Sequence, residues 1–249
     1  MELKKLIQKR WKSSVSDISE SVREELEKYS KKWKDYIDEK IGLKSRIKIL
    51  DTCCGPGFLS ILLSGNGRKI IGVDECEEML EEARKNADMF GASVNFLKMD
   101  CHKLEFLEGT FDMVVSRNSL WTMYNPGEAY KDWVHVLKPG GRIVIFESSW
   151  CLEYKRRDIM ETKRNLRKQY NLPAQDTTYF WGDNSLAQEL DVRSMLGNVE
   201  RPDWDFKVLD KLKMDIEIDT DAWKYIWTDE DKKLYGYAPM FMINAKKRK

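Results

Sequence analysis

The chain has 249 residues, of which 42% are apolar and 34% are charged, and its formal net charge is +1. This length and apolar content suit one large α/β domain with a substantial core. The near-zero charge gives no electrostatic steering toward nucleic acid or an anionic membrane, and no apolar run reaches the ~18 to 20 residues of a membrane span. The start, MELKKLIQKRWK, lacks the apolar segment of a signal peptide, so we expect a cytoplasmic protein.

The first predicted element is an N-terminal helical arm, residues 1–43. Asp17 and Glu20 form a capping-box pattern, and apolar residues then recur at steps of three and four until Gly42. They are Ile18, Val22, Leu26, Tyr29, Trp33, Ile37 and Ile41. The pattern predicts an amphipathic helix over 17–41 that packs on the remaining domain, residues 44–249.

The next segment predicts a strand, a loop and a helix that together bind a ligand. An apolar run from Ile47 ends in Asp51, the chain turns through Gly55 and Gly57, and the helical-looking FLSILL follows. A second apolar run ends in Asp74, at the spacing of about 20 residues that brings a carboxylate to the hydroxyls of a bound ribose. We therefore expect an adenosine-type cofactor.

The chemistry of this loop favours S-adenosylmethionine over NAD. Pro56 has no N–H to donate where a pyrophosphate needs donors, and Asp51 would repel phosphate. S-adenosylmethionine has no phosphate and carries an ammonium and a sulfonium, so an acidic residue at the first strand's end suits it.

Strands and helices then alternate along the chain, which predicts a doubly wound parallel sheet with right-handed crossovers. The predicted strands cover 46–51, 69–74, 93–98, 111–115 and 142–147, with helices from 58, over 76–90 and over 126–137. Residues 211–219 and 238–245 read as two final strands.

An insertion over about 152–204 is not needed by the minimal fold and is a candidate substrate cover. Its first part is rich in Lys and Arg, and the loop NLPAQDTTYFWGDN follows. The basic residues either form a solvated helix face or an electropositive rim that attracts an anionic substrate.

Five ordered stretches resemble the class I S-adenosylmethionine-dependent methyltransferases, in the small-molecule branch of the ubiquinone-type and methyltransferase type 11-like enzymes. They are LDTCCGPGF, GVDECEEML, MDCHKL, FDMVVSRNSLW and VLKPGGRIVIFE. The resemblance covers about 47–147 and continues toward 245. It implies a Rossmann-like seven-stranded sheet whose last strand inserts antiparallel between its neighbours, and an N-terminal arm that closes over cofactor and substrate. Cys53 replaces the first glycine of the family's loop.

The resemblance also implies the residues that bind S-adenosylmethionine and its product, S-adenosylhomocysteine. Asp51 would face the ammonium end, Asp74 the ribose, and Met79 and Asp100 the adenine. The full predicted set is Asp51, Cys53, Gly55, Gly57, Asp74, Glu75, Met79, Asp100, Cys101, His102, Ser116, Arg117 and Asn118. Methyl transfer is an in-line displacement that depends on positioning, so no catalytic residue is assigned.

The five cysteines follow the predicted strand ends and lack the spacing of a metal site, and we assign no metal. They either line the cofactor pocket or form, with His102, a cluster for a soft metal. His102 itself either lines the pocket or acts as a base.

Aromatic residues are the main indication of the acceptor. The candidate acceptor residues are Trp121, Trp150, Tyr179, Trp181 and Arg201. The aromatics either pack under the cover, form an apolar cleft or cage a cation, while Arg117 and Arg201 could meet a carboxylate. We expect a small-molecule acceptor and neither a membrane nor a nucleic-acid partner. The alternatives are a non-catalytic cofactor- or metal-binding module and methylation of RNA or protein.

Overall fold

The computed structural model describes residues 2–149, 156–172, 186, 189–190 and 193–248. Seven strands form one sheet in the order β3-β2-β1-β4-β5-β7-β6. The strands are β1 (Lys48–Thr52), β2 (Lys69–Asp74), β3 (Val94–Lys98), β4 (Phe111–Arg117), β5 (Leu137–Glu147), β6 (Met214–Asp219) and β7 (Phe241–Lys247). The first five are parallel, and β7 lies antiparallel between β5 and β6. The predicted fold class is confirmed.

The described helices lie before, between and after the strands. They are α1 (Leu3–Lys12), α2 (Val15–Ile41), α3 (Phe58–Leu62), α4 (Glu77–Met89), α5 (Pro126–Val136), α6 (Arg157–Gln169), α7 (Asp203–Lys211), α8 (Ala222–Ile226) and α9 (Asp229–Tyr235). The helix predicted over 17–41 begins two residues earlier, so Asp17 lies in its first turn and the predicted capping box at Asp17 and Glu20 is wrong. The helix ends before Gly42, whose backbone has a left-handed φ of 61°, a conformation that glycine adopts readily at the end of a helix.

Two apolar layers cover the two faces of the sheet, and alternate residues of each strand enter opposite layers. In β1, Ile49 packs with the layer that contains α2 to α4, whereas Leu50 packs with the layer that contains α5. The apolar stripe of α2 belongs to the first layer, where Trp33 meets Phe58 and Phe146 edge to face at 5.2 and 5.0 Å. Helix α2 is thus fixed against α3 and β5.

No helix in the described part of the chain is long and apolar enough to cross a membrane.

Candidate functional site

One cavity of about 440 Å³ opens at the carboxyl ends of the parallel strands, where ligands of open α/β sheets bind. Helices α1 and α2 line it on one side, and residues between Ile226 and Met240 line it on another. Most of the predicted cofactor residues line it as well: Asp51, Cys53, Gly55, Asp74, Glu75, Met79, Asp100, Cys101, His102, Arg117 and Asn118. The topology therefore brings to one place side chains that are far apart in sequence.

Asp51 lies in β1 at the floor of this cavity and is only 2% exposed. The Ser60 hydroxyl donates to its Oδ2 at 2.6 Å. Burial raises the pKa of Asp51 to about 7, although the Ser60 hydrogen bonds oppose the shift. A cationic ligand beside Asp51 would favour its ionised form.

Two of the predicted cofactor residues support the site from behind instead of lining it. A Cβ on Gly57 would lie 3.2 Å from Phe96 and 3.3 Å from Ala83, so this glycine allows the loop to pack on β3 and α4. The buried Ser116 hydroxyl donates to the Thr52 carbonyl at 3.1 Å. Neither Gly57 nor Ser116 is among the residues that line the cavity, and their contact with the cofactor stays a prediction.

Asp74 connects the end of β2 to the glycine loop. Its two carboxylate oxygens accept the backbone N–H groups of Gly55, at 3.0 Å, and Cys76, at 2.9 Å. Burial raises the pKa of Asp74 to about 6, and the backbone donors limit that shift. Asp74 therefore fixes the loop geometry and also presents a carboxylate to the cavity.

Lys4 of α1 closes the side of the cavity at the ends of β2 and β3. Its ammonium contacts Glu75 and Asp100, each at 2.8 Å. Burial opposes ionisation of Asp100, but hydrogen bonds led by the one from Lys4 outweigh it and hold the pKa of this carboxyl below its usual range. The sequence analysis missed Lys4, since one Lys in a basic N-terminal segment carries no signal of its own.

His102 is held in a single orientation beside this ion-pair cluster. Its ring stacks on Tyr124 with centroids 3.7 Å apart, Nδ1 lies 3.0 Å from Asp100, and Nε2 accepts the Asn125 N–H at 3.4 Å. Nδ1 therefore carries the proton, and burial lowers the pKa of His102 although Asp100 partly opposes this. With both ring nitrogens engaged, His102 forms part of the cavity wall, and this geometry gives no support to a role as base.

The thiols also form part of the wall. Cys101 Sγ accepts the Cys53 N–H at 3.1 Å, and Cys53 has a left-handed φ of 53°, the conformation for which a glycine would be the ordinary choice. The contact with Cys101, together with burial, raises the pKa of Cys53 well above that of a free thiol. In the described ranges, no group of three or more His, Cys, Asp and Glu side chains is arranged to hold a metal ion.

Arg117 at the end of β4 forms a charged cluster at the wall of the cavity. Its Nη1 donates to Glu25 at 2.9 Å, and Glu25 also accepts the Trp33 indole N–H at 2.8 Å. The guanidinium carbon lies 4.2 Å from the Phe58 ring centre and 4.8 Å from that of Trp33. This arrangement fixes the orientation of Arg117.

Of the predicted acceptor residues, Trp121 lines the cavity. Its indole N–H donates to the Asn118 carbonyl at 3.1 Å, and its ring meets Trp11 of α1 edge to face at 6.0 Å. Trp150, Tyr179 and Trp181 lie outside the described residues.

Arg201 is not among the residues that line the cavity, and the structure gives no support to its predicted contact with the acceptor. Its guanidinium donates twice to Asp205, at 2.7 and 2.8 Å, and once to Glu147 at 3.1 Å. Tyr130 donates to the same Asp205 at 2.6 Å. All four side chains are buried, so the network joins β5, α5 and α7 and has a structural role.

The residues over 226–240 line the cavity although the sequence analysis assigned them no role. They include Trp227, Thr228, Glu230, Asp231 and Tyr235. The detectable signal was the capping box in which Thr228 and Asp231 exchange hydrogen bonds at the start of α9. Within the described part of the predicted cover over 152–204, no residue lines this cavity.

The strand order, with an antiparallel strand between β5 and β6, defines the fold of class I methyltransferases. Residues 49–141 match the sequence family described as a methyltransferase domain. Together these findings confirm the sequence-based recognition of a class I methyltransferase domain.

Curated proteins with similar sequences are also methyltransferases. The demethylmenaquinone methyltransferase of Staphylococcus aureus is 34% identical over 123 residues, which are 48% of this chain and 50% of that protein. The chain thus spans about half the length of the curated relatives it matches.

Solved structures share the fold over most of the chain. A protein of Methanococcus maripaludis assigned to the S-adenosyl-L-methionine-dependent methyltransferases has a TM-score of 0.57 at 20% identity, covering 93% of this chain and 92% of its own. A phosphoethanolamine N-methyltransferase of Haemonchus contortus, in complex with phosphomonomethylethanolamine and S-adenosylhomocysteine, has a TM-score of 0.58 at 16% identity and covers 87% and 53%.

Proposed function

We propose that this chain transfers a methyl group from S-adenosylmethionine to a small-molecule acceptor. The observation that carries the proposal is that one cavity contains both the acidic ends of β1 and β2 and an aromatic end formed by α2 and residues 226–240. The acidic end suits a cationic methyl donor, and the aromatic end suits an apolar acceptor. The methyltransferase relatives support the same activity.

The residues present fit this cofactor. A Cβ on Gly55 would have no neighbour within 4 Å, so the loop leaves room beside its backbone for a ligand. Asp74 would hold the ribose, Asp51 the ammonium end, and Met79 the adenine. Pro56 offers no N–H to a pyrophosphate. When bound, S-adenosylmethionine supplies the methyl carbon on a positively charged sulfur.

The chain's contribution is to orient the reactants and exclude water. Holding a nucleophile in line at near-attack distance can supply about 7 to 11 kcal/mol of barrier reduction. The packed loop at Gly57 and the network around Asp74 keep the donor side rigid, and α1, fixed by Lys4, covers it. His102, whose two ring nitrogens are both engaged by neighbouring residues, is not placed to act as a general base.

The demethylmenaquinone methyltransferases indicate which acceptor to test first. A reduced naphthoquinone is a planar apolar ring with ionisable oxygens, which suits the aromatic end of the cavity. We further propose that the chain acts in the cytoplasm and consists of an N-terminal arm, 1–43, on a methyltransferase domain, 44–249. Its cover would be the insertion over about 152–204.

Calorimetric titration with S-adenosylmethionine, S-adenosylhomocysteine and NAD tests the donor site. We expect binding at micromolar concentrations for the first two and none for NAD. Turnover is then measured with reduced 1,4-naphthoquinone and radiolabelled methyl donor. Donor binding without turnover on this or any other small acceptor would favour a non-catalytic module, and methylation of RNA or protein alone would refute the acceptor class.

A further inference from the structure

Asp100, which follows β3 and lines the cavity, has every acceptor position of its carboxylate occupied. Oδ1 accepts the backbone N–H of His102 at 2.9 Å and the His102 Nδ1–H at 3.0 Å. Oδ2 accepts the Lys4 ammonium at 2.8 Å and the Tyr124 hydroxyl at 3.3 Å. Because each carboxylate oxygen has two lone pairs, these four donors fill the group. An N–H of the adenine that is expected at Asp100 can therefore bind there only after one of the four has left.

Lys4 is the donor of these four that leaves most easily. The two His102 donors are held in place, since one belongs to the backbone and the other to a ring that stacks on Tyr124 at 3.7 Å. The same stack holds Tyr124. The Lys4 side chain is 42% exposed, and its ammonium ends a flexible four-carbon chain that water can solvate. The contact between Lys4 and Asp100 is consequently the one that a ligand would replace.

The same ammonium also holds a second carboxylate of the cavity. Lys4 Nζ lies 2.8 Å from Glu75 Oε1, and Glu75 directly follows β2, the strand that ends in Asp74. Strands β2 and β3 are paired, so Glu75 and Asp100 project from neighbouring strand ends. Both belong to the predicted cofactor set, on the side of the sheet where Asp74 is expected to hold the ribose. One ammonium thus occupies two carboxylates on the adenosine side of the site.

We propose that Lys4 is an internal competitor of the methyl donor. In the ligand-free protein its ammonium occupies Asp100 and Glu75, and the adenosine part of the donor displaces it from them. This inference rests on the proposed function. Lys4 neutralises two neighbouring carboxylates while the site is empty and weakens donor binding by the free energy of its own contacts. A partner that draws α1 away from the cavity would then raise the affinity for the donor.

Calorimetric titration of wild type and Lys4→Met with S-adenosylhomocysteine and 5′-methylthioadenosine tests the proposal. We expect Lys4→Met to bind both ligands about three- to fivefold more tightly, the range that partly exposed ion pairs allow. 5′-Methylthioadenosine contains the adenine and the ribose without the amino acid and has no net charge. A gain with this probe therefore cannot come from attraction of a cation to a more negative cavity.

Lys12→Met is the matched control, because Lys12 lies on the same helix and pairs with Glu78 of α4. Neither Lys12 nor Glu78 is among the lining residues, so this substitution loosens α1 without freeing a carboxylate of the cavity. We expect Lys12→Met to bind both ligands as wild type does. An equal gain in Lys12→Met would overturn the proposal, since the effect would then come from the loosened helix.

Three results with Lys4→Met would also overturn the proposal. Unchanged affinity would mean that Lys4 does not compete, and weaker binding would mean that Lys4 contacts the bound donor. A gain for S-adenosylhomocysteine without a gain for 5′-methylthioadenosine would place the competition at the amino-acid end.

The same titrations separate this proposal from the proposed function. If neither wild type nor Lys4→Met binds S-adenosylhomocysteine, the proposed function is refuted. If both bind it with equal affinity, only the competition by Lys4 is refuted.

Discussion

Asp51 should make the stability of the ligand-free protein fall between pH 5 and pH 7. Its pKa is raised to about 7 in the fold, from a usual value of 3.8, because it is buried. Over this interval the folded protein holds a proton that the unfolded chain has released. The free energy of unfolding then decreases by up to about 1.4 kcal/mol per pH unit, and by roughly 2 kcal/mol over the interval because Asp51 is about half ionised in the folded protein at pH 7.

Asp51→Asn removes this contribution while its side-chain oxygen can still accept the Ser60 hydroxyl. We expect urea unfolding to give a stability difference between variant and wild type that shifts in favour of the variant by roughly 2 kcal/mol from pH 5 to pH 7. Comparing the two proteins cancels the titration of His102, which they share.

Asp112→Asn is the control, because Asp112 lies at the other end of the parallel strands. Burial opposes ionisation of Asp112, but hydrogen bonds from Lys138 and from the Lys48 N–H outweigh it and lower its pKa. Asp112 is ionised in both folded and unfolded chains above pH 5, so its loss should cost the same at both pH values. A stability difference for Asp51→Asn that is constant across the interval would refute the burial argument.

Three further substitutions test other parts of the site. Asp74→Ala should weaken S-adenosylhomocysteine about 10- to 150-fold in calorimetry, the equivalent of ~1.5 to 3 kcal/mol for lost charge-assisted hydrogen bonds; an unchanged affinity would contradict the ribose assignment. Lys4→Met should lower the local stability of α1 by no more than ~1 kcal/mol, because the ion pairs of Lys4 are partly exposed, and faster amide exchange in α1 would show this loss. Lys5→Met should leave amide exchange in α1 unchanged. Gly57→Ala should cost ~1 to 3 kcal/mol more in urea unfolding than Gly65→Ala, because both have φ near 90° but only Gly57 faces close neighbours; equal losses would contradict this.

The sequence was sufficient to predict the sheet, and most of the residues it proposes for the donor line one cavity. Each parallel strand is a continuous apolar run that ends in a polar residue, as at Asp51 and Asp74, because strands buried on both faces need apolar side chains throughout. The glycine loop, the two acidic ends and His102 accordingly reach one cavity as predicted. The spacing did not distinguish which loop glycine lines the cavity: Gly55 does, whereas Gly57 lies against Phe96.

The parts that sequence reasoning missed depend on contacts between distant segments. The sequence does not show whether an arginine such as Arg201 binds a ligand or a buried carboxylate. Only the fold brings Arg201 to Glu147 and Asp205. Helices α8 and α9 are short, with five and seven residues, so neither displays enough turns for a periodic pattern. Lys4 is one of many charged residues until α1 places it over Asp100.

The buried network around Arg201 connects the structural and chemical parts of the site. A buried charge without its partner costs much free energy, so the ion pair with Arg201 holds the Glu147 side chain firmly in place. Glu147 in turn holds the segment that begins at Ser119, and that segment carries Trp121 at the cavity wall. The geometry on which an in-line displacement depends is therefore set by residues that never meet the ligand. A change at Asp205 would be expected to affect acceptor alignment through β5, although Asp205 lies outside the cavity.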